Sequence, residues 1–217
     1  MQTLTEHVLR MAPPGGLFDE TVLSNLFPIR SAGARRALVH RASSHAEIDI
    51  LKPGVYCLAP DLRRNHPHPF VVAALLHSPS HISLETALAH HGLIPEAIYQ
   101  VTSATPLRSR TFENRLGSFT FTSVPTHRPK AGVVPEELAP GTWAFVATPL
   151  RALADLVYTR KKVEWRGDGF AFLHESLRIE PEDLAAISFE GFEEIHDSFR
   201  NRRTRAFLRG LKEALVA

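Results

Sequence analysis

Two short apolar stripes at helical spacing meet at a proline, and that junction constrains the fold of this chain more than any other feature. Val22, Leu23 and Leu26 recur at helical spacing behind Asp19, a residue suited to cap a helix start. Pro28 lacks a backbone donor and pushes Phe27 toward extended geometry. The spacing therefore predicts a helix over Asp19–Phe27 and a turn over Pro28–Arg30. Ser31 is placed to cap a second helix running to about Ser44, in which Ala34, Leu38 and Ala42 form one apolar stripe. Glu47–Leu51 and Val55–Ala59 then flank the turn Lys52-Pro53-Gly54, and Ile48, Ile50, Val55 and Leu58 are β-prone, so a hairpin is expected. Helix, tight turn, helix and hairpin follow one another in the order of a winged helix-turn-helix.

Turning the stripe of the second helix inward leaves Gly33, Arg36, His40 and Ser43 on the opposite face, with Arg35 and Arg41 at its flanks. Such a face suits a major groove: arginine bonds guanine edges bidentately, while flanking cations and hydroxyls hold phosphates. The candidate DNA contacts are Ser31, Arg35, Arg36, His40, Arg41 and Ser43, with Lys52 at the hairpin tip directed at the phosphate backbone. The alternative is a small helical subdomain whose hairpin docks a protein.

A chain of 217 residues accommodates one large domain or two small ones. Its apolar and charged fractions are those of a globular protein. Net charge is only +2, so nucleic-acid affinity has to come from local clustering. The single cysteine, Cys57, cannot form an internal disulfide; its place in the hairpin suggests packing and a reducing compartment. No basic start followed by an apolar run marks a secretion signal, and the longest apolar run, Phe70–Leu76, is too short to cross a bilayer. A cytoplasmic protein without membrane partners is expected.

Leu4, Val8 and Leu9 lie on one face of a short helix that would complete the first module, and Pro13-Pro14-Gly15-Gly16 ends it. A polar stretch with three prolines, Pro60–Pro69, marks a seam between a domain over residues 1–62 and a second over residues 69–217. The second domain reads as mixed α/β. Helices are expected over Pro69–His77 and over Ser83–His91, the latter capped by Ser83 and stopped by Gly92. Strands are expected over Ala97–Ala104, Arg110–Phe112, Gly117–Val124 and Trp143–Ala147, and a helix runs from Pro149 through Tyr158. Phe170–Arg178, Pro181–Ala186 and Gly191–Leu215 complete the chain as helices, the last with a break. The fold class is thus α+β.

The segments LKPGVYCLAP, PSHISLETALAHHGLIPE, YQVTSAT, RTFENRLGSFTFTSV and WAFVATPLRALADLVY occur in this order. Together they resemble the AbiEi family of antitoxins, transcriptional regulators of type IV toxin–antitoxin systems that act in phage defence. The resemblance covers Asp19 to Tyr158. It implies an N-terminal winged helix that binds inverted repeats in its own promoter and represses the operon. It also implies a C-terminal domain that counters a nucleotidyltransferase-like toxin without a stable complex. Positions matching the family, among them Ser83, Glu85, His91, Gly92, Pro149 and Asp155, carry no assignable chemical role.

The end of the chain departs from the family picture. Arg160-Lys161-Lys162 with Trp165-Arg166 form one basic cluster, and Arg200, Arg202, Arg203, Arg205, Arg209 and Lys212 form another. On the helix carrying the second cluster, Phe199, Ala206, Phe207 and Leu211 can face inward while the arginines stay wet. Arg200, Arg202, Arg203 and Arg205 are candidates for a second phosphate-contacting surface on DNA or RNA; a solvated helix face accounts for them equally simply.

Nothing in the pattern marks an enzyme. The phosphate-binding, dinucleotide, zinc-protease and nucleophile-elbow motifs are absent, and each lysine has a non-acidic residue two places before it, so no restriction-nuclease element is present. Among twelve histidines, His66-x-His68 and His90-His91 are the tight groupings, and neither comes with cysteine or carboxylate at ligand spacing. No cofactor, metal or catalytic residue is therefore expected. Two function classes stand: a promoter-binding repressor that is also an antitoxin, or a protein- or RNA-interaction module that uses the winged helix and the basic C-terminal helix for docking.

Overall fold

The computed structural model describes residues 3–95 and 100–216. The chain opens with α1, Leu4–Met11. Thr3 and Glu6 cap it reciprocally: the Thr3 hydroxyl accepts the Glu6 N–H, and the Glu6 carboxylate accepts the Thr3 N–H. A 3-10 turn over Pro14–Gly16 leads into β1, Leu17–Asp19. Asp19 ends that strand and caps α2, Glu20–Leu26, its carboxylate accepting the Val22 N–H at 2.9 Å. Ser31 caps α3, Ala32–Ser44, in the same way through Ala34. The hairpin follows as β2, Ile48–Lys52, and β3, Val55–Leu58. The three strands form an antiparallel sheet in the order β1-β3-β2.

Both faces of this small sheet are covered. Side chains alternate along a strand. Phe18, Ile48, Tyr56 and Leu58 join Leu4, Val8, Leu23, Leu38, Val39 and Ala42 in a core under the three helices. Leu17, Leu51, Val55 and Cys57 instead join the large core of the rest of the chain. Cys57 is fully buried, with a guanidinium N–H of Arg63 donating to its sulfur at 3.1 Å, and burial pushes its thiol pKa up. The link past Pro60 runs close to the first module: a Cβ on Gly15, whose φ is +60°, would lie 2.6 Å from the Pro67 backbone, so only glycine fits there.

Beyond the link come α4, Pro69–Leu76, β4, His81–Ile82, and α5, Leu84–His90. Four longer strands follow: β5, Gln100–Thr105, β6, Arg110–Asn114, β7, Gly117–Ser123, and β8, Val133–Ala139. With β4 and with β9, Thr142–Ala147, they make a mixed six-stranded sheet in the order β6-β7-β5-β4-β9-β8. Pairs β4–β9 and β5–β7 are parallel, and the others are antiparallel.

Helix α6, Pro149–Thr159, is buried at every position from Leu150 to Val157 and packs against α5, β9 and the C-terminal helices. These are α7, Trp165–Ala171, continued by a π-helical turn over Phe172–Ser176, then α8, Pro181–Ala185, α9, Phe192–Ser198, and α10, Arg202–Val216. The fold is mixed α+β. Among the described residues no helix is long and apolar enough to cross a membrane.

Several expectations need correction. β1, β4 and β8 were not anticipated, and the strand expected over Ala97–Ala104 covers Gln100–Thr105, with residues 97–99 lying outside the described ones. Ser83 precedes α5 but does not cap it through its side chain, because its hydroxyl is drawn to Asp155. The break expected in the final helix, by contrast, is present: it falls where Phe199 turns extended and Asn201 accepts the N–H groups of Arg203 and Thr204.

Candidate nucleic-acid interface

Helix α3 presents the expected face, with a difference at its flanks. Ser31, Gly33, Arg36, His40 and Arg41 are exposed, while Leu38, Val39 and Ala42 are buried against the small core. Arg41 donates to the carbonyl of Ala37 at 3.3 Å and keeps its charge at the surface. Ser43 is half-buried. Arg35 is held inside the module: its Nε donates to Glu20 at 2.9 Å and an η nitrogen donates to the carbonyl of Arg30 at 2.8 Å. Those bonds tie α3 to the start of α2 and to the intervening turn, so Arg35 fixes the angle between the helices. Arg36 and His40, one helical turn apart, share the open face.

Lys52 does not point outward from a hairpin tip, contrary to expectation. Its ammonium donates to the Leu76 carbonyl at the end of α4, at 2.7 Å, and lies 6.0 Å from the Phe112 ring. Burial, with Arg110 nearby, lowers its pKa. The cause is the covered outer face of the small sheet, which brings the hairpin against α4 and β6. Asp49 and Arg115 make a further contact there, at 3.3 Å.

The arginines near the C-terminus divide in the same manner. Arg203 is withdrawn from the surface: its guanidinium donates to the carbonyls of Val157, Tyr158, Arg160 and Val163 at 2.6–3.2 Å, closing the end of α6. Arg205 pairs with Asp197 at 3.3 Å. Arg200 and Arg202 remain exposed, as does Arg209, and Ala206, expected to face inward, is exposed as well. Arg200 donates to His127, a residue far away in sequence. His127, Arg128 and Lys130, all exposed, were missed because they are separated from the arginine cluster by about the length of a small domain, and only the fold joins them.

Two sets of polar residues complete the inventory. Fully buried Asp155 accepts from Arg151 at 2.8 Å, Ser83 at 2.7 Å and His81 at 3.1 Å, and Arg151 also donates to the Ala131 carbonyl at 2.6 Å. Serine and histidine both face the carboxylate rather than each other, so this is a structural tie and not a nucleophile with its base. Among possible metal donors, Glu193, His196 and Asp197 on α9 lie within 4.8 Å of one another. Lys212 and Arg205 already pair with those carboxylates, at 3.1 and 3.3 Å. His68 caps α4, and His90 pairs with Glu136 at 2.6 Å, a carboxylate the linear spacing did not reveal.

No protein-family model matches the chain, and no match was found among curated proteins.

Proposed function

We propose that the chain is a DNA-binding transcription regulator whose residues 3–62 form a winged helix-turn-helix with α3 as its recognition helix. The observation that carries this is the exposed pair Arg36 and His40, with Arg41 beside them, on a helix whose opposite side is packed on its own small core. The order α1-β1-α2-α3-β2-β3 with a β1-β3-β2 antiparallel sheet supports the same reading. In it, Arg36 is the base-reading side chain, Arg41 and Ser31 hold phosphates, and Arg35 positions the helix without touching DNA. Lys52 belongs to the internal packing. The resemblance to AbiEi antitoxins extends the proposal to repression of its own operon and to countering a nucleotidyltransferase-like toxin, with no catalytic step in this chain.

The test is binding to the duplex upstream of its own gene, with unrelated duplex as competitor, at two salt concentrations. Competitor-resistant binding that weakens at the higher salt is expected. Arg36→Ala should cost about 1–3 kcal/mol on the cognate site and relax its specificity. Arg35→Ala should instead lower the unfolding midpoint. Binding no better than to competitor would overturn the repressor reading.

A further inference from the structure

Away from α3, an arginine and a histidine from separate segments meet over a cavity. The loop after β7, the end of α6 and the link between α9 and α10 surround a space of about 500 Å3 lined by Pro125, Thr126, His127, Tyr158, Arg200 and Asn201. That volume falls within the roughly 300–1,000 Å3 of small-ligand sites. Hydrogen bonds fix the walls: the His127 N–H donates to the Ser198 carbonyl at 2.9 Å, and Arg203 holds the Tyr158 carbonyl at 3.2 Å.

Among the described residues no carboxylate pairs with the polar groups on these walls. The Arg200 guanidinium lies along the His127 imidazole, its Nε on one ring nitrogen and an η nitrogen 3.4 Å from the other. Neither residue has a carboxylate partner among the described ion pairs, and the nearest pairing on this loop is Arg128 with Glu194, at 3.9 Å. An arginine fork beside an imidazole matches the oxygens of a phosphate. Tyr158 adds a half-buried aromatic ring, the kind of surface on which a base stacks. Exposed Lys130 and Arg202, each on a segment that lines the cavity, extend the positive charge beyond it.

We propose that this cleft binds a nucleoside phosphate, the phosphate on Arg200 and His127 and the base against Tyr158, presented free or as one unit of a single-stranded chain. The site is separate from α3 and does not depend on the duplex-binding reading. Two probes test it on the full chain: adenosine monophosphate by calorimetry, and a short fluorescein-labelled oligoadenylate by anisotropy. At least one should bind, with competition by inorganic phosphate, and Arg200→Gln should weaken it about tenfold. Tyr158→Leu should weaken the nucleotide more than inorganic phosphate. Arg36→Ala should leave either affinity within about twofold while relaxing duplex specificity. Equal affinity for both probes assigns a free nucleotide, and binding of the oligonucleotide alone assigns a chain. No binding of either probe overturns the proposal, as does an unchanged affinity in Arg200→Gln or a loss in Arg36→Ala matching that in Arg200→Gln. His127→Gln, an exposed change, repeats the test should Arg200→Gln fail to fold.

Discussion

Asp155 shows how far a single side chain can organise this fold. Burial by itself would raise its pKa, but the Arg151 guanidinium and the bonds from His81 and Ser83 outweigh burial and hold it below the ordinary carboxylate value. The carboxylate therefore contributes stability that is fully present above its unfolded pKa of about 3.9 and is lost as pH falls through the lower, folded value. Asp155→Ala leaves Arg151, 1% exposed, as a buried charge without its partner, and removing one side of such a pair costs about 3–5 kcal/mol. Urea unfolding at neutral pH should show that loss, and the gap between parent and variant should persist at pH values near 5 and narrow under stronger acid. A gap that does not change with acidity would mean that Asp155 acts through packing alone. Arg151 sits one helical turn before Asp155, within reach of a local pattern, but His81 and Ser83 come from a distant strand and its end, and no spacing rule links them.

At the scale of elements, glycines on two helices make room for one indole. A Cβ on Gly210 of α10 would lie 2.1 Å from Trp165, and one on Gly169 of α7 would lie 2.5 Å from the other side of the same ring. Trp165 also meets Phe207 edge-on at 5.3 Å and Phe170 at 5.1 Å, so it cannot swing away. Gly→Ala inside a helix ordinarily stabilises by about 1 kcal/mol, but overpacking costs about 1–3 kcal/mol. With the ring confined on both sides the steric term should win, and Gly210→Ala should destabilise, with Trp165→Leu restoring part of the loss in the double variant. Additive effects of the two changes would contradict a direct clash. Trp165 had been grouped with a basic cluster, because Gly210, forty-odd residues away, gives no local hint of the contact. Caps and proline breaks, by contrast, were legible: Asp19, Ser31 and Pro149 act within their own helix turns. The missed strands have two causes. β1 and β4 are too short to show a period of two, and β8 carries Pro135 inside it, which its place at the sheet edge tolerates.

At the scale of the molecule, the small sheet decides whether the chain behaves as two domains or one. The composition shift after Pro60 marks a seam in sequence, yet it conveys nothing about the faces of β1, β2 and β3, which alternate between two cores. The same packing draws the Lys52 ammonium onto the Leu76 carbonyl, a consequence that a hairpin considered alone could not reveal. Burying a leucine or valine contributes about 1.5–3 kcal/mol. Leu17, Leu51 and Val55 together are thus worth an amount comparable to the about 5–15 kcal/mol that stabilises a whole domain. Cutting the chain at the link removes that burial from a unit too small to replace it. The full chain should therefore melt in one transition, with matching calorimetric and van 't Hoff enthalpies, and a fragment of residues 1–66 should not hold its fold alone. Lys52→Met should leave the single transition intact and lower its midpoint modestly, since it removes one charged bond and little packing. Two resolved transitions, or a fragment with a dispersed amide spectrum, would show instead that the outer face of the sheet adds little. The position of α3 bears on the same result: under the proposed reading, a recognition helix carried on a sheet embedded in the second core has its orientation set by the whole molecule. Core substitutions far from α3, such as Leu88→Ala in α5, should then weaken duplex binding only to the extent that they unfold the chain.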